Sequence, residues 1–253
     1  MPTIEQLQDI CYHSNFVAQV IARADFLSPI SSLVSGLPAS IGTSIRERFP
    51  IPEPRKAISQ KVNLPEGNVS ERSEFTEWLF YGKEREKSLS IAPGWIWIEQ
   101  KRYERYESFR DDFITSLLSL CEAFPDAQIS RLGIRYINQI ELKEIDPFDW
   151  SQYLADYATA TLSAQADKSK IVRDFHSLEL NCESFNLRFQ FGMHNPEYPA
   201  PIRRKLFVLD LDAYSQRTIE PGNIQSALDE YHHAIQARFE GTIKEPLRRL
   251  MNA

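Results

Sequence analysis

The chain has 253 residues, of which 42% are hydrophobic, 11% aromatic and 25% charged, the make-up of a folded globule; disordered, collagenous and fibrous architectures are excluded. A chain of this length buries about three quarters of its surface on folding and needs no disulfide or metal staple. Lysine and arginine number 29 against 35 aspartates and glutamates, a net charge of −6, which argues against a dominant nucleic-acid or anionic-membrane footprint.

The start, Met-Pro-Thr-Ile-Glu-Gln-Leu-Gln, lacks the basic opening and apolar core of a secretory signal. The most apolar stretches, Phe113 to Leu120 and Leu206 to Leu211, are too short to span a bilayer. Cys11, Cys121 and Cys182 are odd in number, far apart and without a C-x-x-C pair. This predicts reduced, mostly buried thiols rather than a disulfide framework or a zinc site, and a cytoplasmic protein.

In chain order, Phe16 to Phe26 reads as a strand, with Phe16, Ala18, Val20, Ala22, Ala24 and Phe26 on one face. Ser28 to Phe49 reads as a helix. Pro50, Pro52 and Pro54 then force an extended connector, because proline fixes φ and restricts the residue before it. Strands are expected at Arg55 to Leu64, Phe75 to Tyr81, Glu86 to Ile91 and Trp95 to Gln100. Tyr106, Phe109, Phe113, Leu117, Leu120 and Phe124 recur at spacings that make one continuous helical stripe, and Pro125 stops the helix.

Arg131 to Leu142 alternates as a strand, with Leu132, Ile134, Tyr136, Ile140 and Leu142 on one face. Asp146 to Tyr153 reads as a short helix or turn, and Ala158 to Lys170 is polar and undetermined. Phe175 to Cys182 and Phe185 to Phe191 suit an antiparallel hairpin, and Lys205 to Tyr214 is a third strand. A helix follows from Ile224 to Phe239 with Gly241 at its end, and Thr242 to Leu250 forms a last short one. Strands come in runs, each closed by a long amphipathic helix. The expected fold is therefore α+β, with antiparallel sheet and helices packed on one face, rather than a parallel βαβ array. The chain reads as a single domain over 1–253, in which halves at 1–145 and 146–253 would form two pseudo-duplicated lobes.

The standard nucleotide-binding, serine-hydrolase and zincin motifs do not occur, and nine glycines leave little for a phosphate cradle. Adjacent helical residues point about 100° apart, so His232 and His233 do not close on one metal ion. No cofactor and no metal are expected. Asp210 and Asp212 share a strand face about 7 Å apart by strand rise. They either hold a cation or pair with Arg131, Arg135 or Arg188 on neighbouring strands, and the ion-pair reading is the stronger.

Gly133 inside its strand suggests a bulge or close approach. Asn138 falls by parity among apolar neighbours, where a buried amide either clamps backbone or lines a pocket. The connector Gly192 to Arg204, with Tyr198 at its tip and Arg203 and Arg204 at its exit, is either a partner-binding flap or a proline-stiffened hairpin connection.

Arg131-Leu-Gly-Ile-Arg-Tyr-Ile-Asn138 matches the strand pattern R-[LI]-G-[LI]-R-Y-[IV]-N, and the chain resembles the sporadically distributed, uncharacterised prokaryotic family of similar length that carries it. Tyr106 with Phe109, Leu209-Asp-Leu-Asp212 and the run from His232 to Ile243 fit as well. Phe16-Val-Ala-Gln19 departs from the family's Pro-Pro and Glu pattern. The resemblance implies a cytosolic α+β protein of an accessory locus, of phage-defence or toxin–antitoxin type, and no reaction.

The leading expectation is thus a non-catalytic binding, sensor or neutralising adaptor protein whose partner is another protein. The alternative is an enzyme or small-ligand receptor using a sheet-floored cleft around Arg135, Asn138, Asp210 and Asp212, with Arg131 a further candidate ligand-binding residue. Nucleic-acid binding through Arg188, Arg203, Arg204 and Lys205 is disfavoured by the acidic balance, membrane association is not expected, and a homo-oligomer is compatible with the sequence.

Overall fold

The computed structural model describes residues 12–34, 36–63 and 68–252, with the side chains of 59–63 and 68–72 left aside. Cys11 and Leu64 lie outside the described residues. Among these, the chain is α+β with ten strands and five α-helices. The strands are β1 (Val17–Phe26), β2 (Ile51–Pro52), β3 (Arg55–Asn63), β4 (Asn68–Tyr81), β5 (Lys87–Ala92), β6 (Trp95–Gln100), β7 (Ile129–Leu142), β8 (Asp174–Asn181), β9 (Asn186–Met193) and β10 (Lys205–Ser215). The helices are α1 (Ala39–Arg46), α2 (Tyr106–Ala123), α3 (Asp156–Ala164), α4 (Ile224–Thr242) and α5 (Glu245–Asn252). No helix among the described residues is long and apolar enough to cross a membrane.

The chain folds into two compact units interleaved in sequence. The first takes residues 12–20, 134–214 and 229–252; the second takes Ile21–Gly133 and Ser215–Leu228. In the first unit the strand order is β7-β10-β9-β8, and β8 and β9 form the expected antiparallel hairpin, with Asn181 opposite Asn186 and Leu178 opposite Phe189. β9 pairs antiparallel with β10, Arg188 facing Asp212 and Gln190 facing Asp210. Leu187, Phe189 and Phe191 alternate inward, and Phe185 meets Tyr231 of α4 at a ring separation of 4.8 Å. Each such fully buried ring or branched side chain contributes about 1.5–3 kcal/mol.

In the second unit the order is β2-β4-β5-β6-β1, with β3 paired to β4. The stripe of α2 is buried as its spacing demands, at Tyr106, Phe109, Phe113, Leu117 and Leu120. Ser28 to Phe49 is not one helix: it divides into a 3-10 turn, Ser31–Val34, and α1. Pro38 separates the two pieces, since its missing N–H cannot join a helical ladder.

Three further places are decided by the structure. Polar Ala158–Lys170 contains most of α3, whose buried Ala158, Thr159 and Leu162 present a small-residue face. Its two threonines lower intrinsic helix propensity, so tertiary contacts decide the outcome: Tyr157 meets Phe191 edge-on at 6.1 Å, and its hydroxyl lies 2.6 Å from that of Thr242. Gly241 does not end α4, which runs through it to Thr242; the Thr242 hydroxyl donates back to Arg238 O (2.7 Å), inside the last turn. β7 passes through Gly133 without interruption, and the positive φ among glycines falls instead on Gly192 (φ 145°).

Candidate functional site

β10 is the strand on which the first unit turns. Every residue from Lys205 to Ala213 is buried, so its charged side chains must be neutralised where they lie. Asp210 is held by Arg135 of β7 in a two-pronged pair: Nε donates to Oδ1 (2.7 Å) and Nη2 to Oδ2 (2.5 Å). The Arg135 side chain keeps 40% of its surface while the carboxylate keeps 9%. Its bond to Asp210 raises the Arg135 pKa above the ordinary arginine value, against the opposing effect of burial.

One step along the strand, Arg188 Nη2 donates to Asp212 Oδ2 (2.7 Å) from the directly opposite position of β9. Arg188 also lies over the Tyr214 ring at 5.5 Å, and the Tyr214 hydroxyl donates to Glu179 of β8. Bidentate and charge-assisted bonds of this kind fix geometry as much as they stabilise. Across β7, β10, β9 and β8 the polar side of the sheet is a row of closed acid–base pairs.

The other expected site residues part company with these. Asn138 has the opposite parity to Arg135 on β7; buried, it donates from Nδ2 to Leu209 O (3.2 Å) and clamps the neighbouring strand. Arg131 belongs to the second unit, where its guanidinium lies 3.6 Å from Asp25. Arg135, Asp210 and Asp212 are therefore brought into one row, and Asn138 and Arg131 are not part of it. His232, on α4, meets the Tyr136 hydroxyl through Nδ1 at 3.2 Å. Among the described residues no group of three or more His, Cys, Asp or Glu side chains is placed to hold a metal ion.

The connector between β9 and β10 is pinned along the run that leads into β8. Asn195 Nδ2 donates to Val172 O (2.9 Å) and to Ala200 O (2.7 Å), and Ile202 N donates to Ile171 O (3.0 Å). Tyr198 stands exposed at its tip with the Arg173 guanidinium 4.4 Å above its ring. Arg203 is exposed, and Arg204 is tied to Glu141 (2.6 Å). Lys205, which the sequence groups with these two as a basic exit, is instead wholly buried (0% of its side chain exposed). It donates to Glu144 Oε2 (2.7 Å) and Asp149 O (2.5 Å), and lies 5.3 Å from the rings of both Trp150 and Tyr153. Tyr153 in turn donates to Glu144, and that bond pushes its pKa up to about 12.

β8 is the feature the sequence did not single out. It is the last strand of its order, and Phe175 and Leu178 are both exposed on it although they fall on opposite faces. The Cys182 N–H donates to Phe185 O (2.8 Å), so with this register the even residues of β8 turn their backbone groups to β9. Phe175, Ser177, Glu179 and Asn181 turn theirs outward. Asp174 anchors the strand's start, accepting from Thr161 of α3 (2.9 Å) beside His176, which stacks on Phe191 at 5.1 Å. The signal available in the sequence was the absence of a clean apolar face in Asp174-Phe-His-Ser-Leu-Glu-Leu-Asn181, which is how an edge strand reads.

Cys121 and Cys182 are free thiols, partly covered, and burial pushes both above the ordinary thiol pKa. Alkylation at neutral pH is accordingly expected to be slower than for free cysteine, rising with pH only above the free thiol's range. Rates equal to free cysteine at neutral pH would contradict that. Comparison of the chain with protein-family models and with curated proteins gives no match.

Proposed function

We propose that the protein is a non-catalytic binding protein, an adaptor, sensor or neutralising partner, and that it takes an extended segment of another protein along the outer edge of β8. The observation that carries this reading is an edge that no other strand pairs among the described residues: a row of outward backbone groups at Phe175, Ser177, Glu179 and Asn181, flanked by exposed Phe175, Leu178 and, at the strand's approach, Tyr198 stacked beneath Arg173. An added strand satisfies the backbone row, and the exposed side chains supply pockets and anchors. Exposed apolar groups rimmed by charge are the usual mark of such a surface.

The closed pairs Arg135–Asp210 and Arg188–Asp212 support a binding rather than a catalytic role for the polar row, because each carboxylate is committed to a guanidinium. The resemblance to a patchily distributed prokaryotic family supports an accessory locus, of phage-defence or toxin–antitoxin type, as the setting.

The test is Ser177→Pro. Ser177 is exposed and its N–H points away from β9, so proline there removes an outward donor without breaking the hairpin. With Phe175→Ala and Tyr198→Ala added, capture of the partner recovered by the parent protein from native cells is expected to be lost, while the melting temperature stays within about 3 °C. Undiminished capture by the triple variant would refute the edge as the binding surface.

A further inference from the structure

We propose that Thr161, Asp174 and His176 form a site for a six-coordinate divalent metal ion, of the manganese-to-nickel class, in the first unit at the start of β8. Asp174 and His176 stand two apart on β8, and so on one face of it, and Thr161 comes from α3. Their donor atoms converge. Thr161 Oγ1 lies 2.9 Å from Asp174 Oδ1 and 2.9 Å from His176 Nε2, and Nε2 lies 3.1 Å from Oδ1. Two donors bound at right angles to one ion by bonds of about 2.1 Å stand about 3.0 Å apart, whereas tetrahedral bonds of that length set them about 3.4 Å apart. The triangle has the dimensions of one face of an octahedron.

Hydrogen bonding within the cluster leaves two things unexplained. The Nε2–H and the Thr161 hydroxyl bring two protons to three close approaches, so one edge of the triangle has no hydrogen of its own. Asp174 Oδ2, besides, is buried and has no hydrogen-bond partner among the described residues, and the whole side chain keeps only 13% of its surface. A carboxylate oxygen left in that state is costly. A cation on this face compensates the carboxylate's charge and turns all three lone pairs inward, with the imidazole proton carried on Nδ1.

The donor set chooses the ion. One imidazole nitrogen with two oxygens is poor for calcium or magnesium, which take oxygen ligands, and suits the divalent ions from manganese to nickel. The imidazole is held in place: it stacks on Phe191 at 5.1 Å, and Phe191 is braced edge-on by Tyr157, one turn before Thr161 on α3. The arrangement is not a nucleophile triad. In a triad the carboxylate and the hydroxyl meet opposite nitrogens of the imidazole, and here both meet Nε2. Thr161 is exposed, so the remaining positions of the ion open to water.

The experiment is calorimetric titration of the whole chain with Ni²⁺, and in parallel with Mg²⁺, in a buffer that does not bind metals. The expected result is one Ni²⁺ per chain with a Kd of about 100 μM or tighter, Mg²⁺ binding too weak to measure, and about tenfold weaker Ni²⁺ binding in Thr161→Val and in His176→Gln. Thr161 is at the surface, so its valine variant keeps the fold. Ni²⁺ at about ten times the parent Kd should raise the melting temperature of the parent more than that of either variant. With Co²⁺ the visible spectrum is expected to be the weak one of a six-coordinate ion, and intense tetrahedral bands would overturn the octahedral assignment. Equal Ni²⁺ binding by the parent and both variants means an adventitious ion only, at other histidines, and overturns the site, as does no binding at about 1 mM. Mg²⁺ binding as tightly as Ni²⁺ overturns the choice of ion.

Discussion

Gly192→Ala is expected to be the most damaging conservative substitution in the chain. Gly192 sits on β9 opposite Phe175 of β8 and Val208 of β10 with φ at 145°, a conformation that residues with a Cβ rarely adopt. A methyl there would fall well inside contact distance of the Asp174 carbonyl oxygen and 2.8 Å from Phe175 Cα. Both obstacles are backbone, so neither can swing aside as a side chain would. The strain alone is worth on the order of 1–3 kcal/mol, and displacing the start of β8 adds to it. A total of about 3 kcal/mol lowers the melting temperature by roughly 6–12 °C for a chain of this size. Gly94→Ala is the control: a Cβ there meets nothing within 4 Å, and its φ is not positive, so an effect within about 0.5 kcal/mol is expected. Equal melting curves for the two variants would remove the close approach of β8 to β9 from the account.

Lys205 is the second. Its side chain is fully covered, and its ammonium, 5.3 Å from the rings of both Trp150 and Tyr153, joins Glu144 to the Asp149 carbonyl. It thereby fastens the turn region after β7 to the first residue of β10. Lys205→Ala removes the stem and leaves a void against a Trp150 that is wholly buried, at an expected cost of about 3–4 kcal/mol. Lys205→Met keeps the volume and loses the charge. Glu144 remains part-exposed and can be solvated, so that loss is expected to be only about 1–2 kcal/mol. Chemical denaturation of both variants separates packing from charge. A larger loss for Met than for Ala would contradict the division.

The elements that can be read from the sequence are those whose physics is local. Alternation placed β1, β6, β7 and β10 within one or two residues, and the 3-4 spacing of Tyr106, Phe109, Phe113, Leu117 and Leu120 placed α2. α3 escaped because its face is Ala158, Thr159 and Leu162, too small and too β-branched to announce a helix without β9 and Thr242 beside it. β4 starts earlier than its apolar segment because pairing with β3, not hydrophobic alternation, sets its first residues.

At the site, strand parity was enough to pair Asp210 and Asp212 with cross-strand arginines, and to mark Asn138 as out of place. It could not assign Arg131 to Asp25, since that depends on which strand lies next to β7. Nor could it show that Lys205 turns inward while Arg203 and Arg204 turn out, or that β8 ends a sheet. Edge position and the burial of a paired lysine are properties of three-dimensional neighbours, and a linear pattern does not carry them.

The most direct measurement is hydrogen exchange, resolved by mass spectrometry, on the protein alone and on its purified complex with the captured partner. Outward amides of an edge strand exchange freely until another strand covers them. The account predicts that Phe175, Ser177, Glu179 and Asn181 gain protection in the complex, more than the even residues of β8, which already bond to β9. Protection confined to other surfaces, with β8 exchanging as in the free protein, would contradict it.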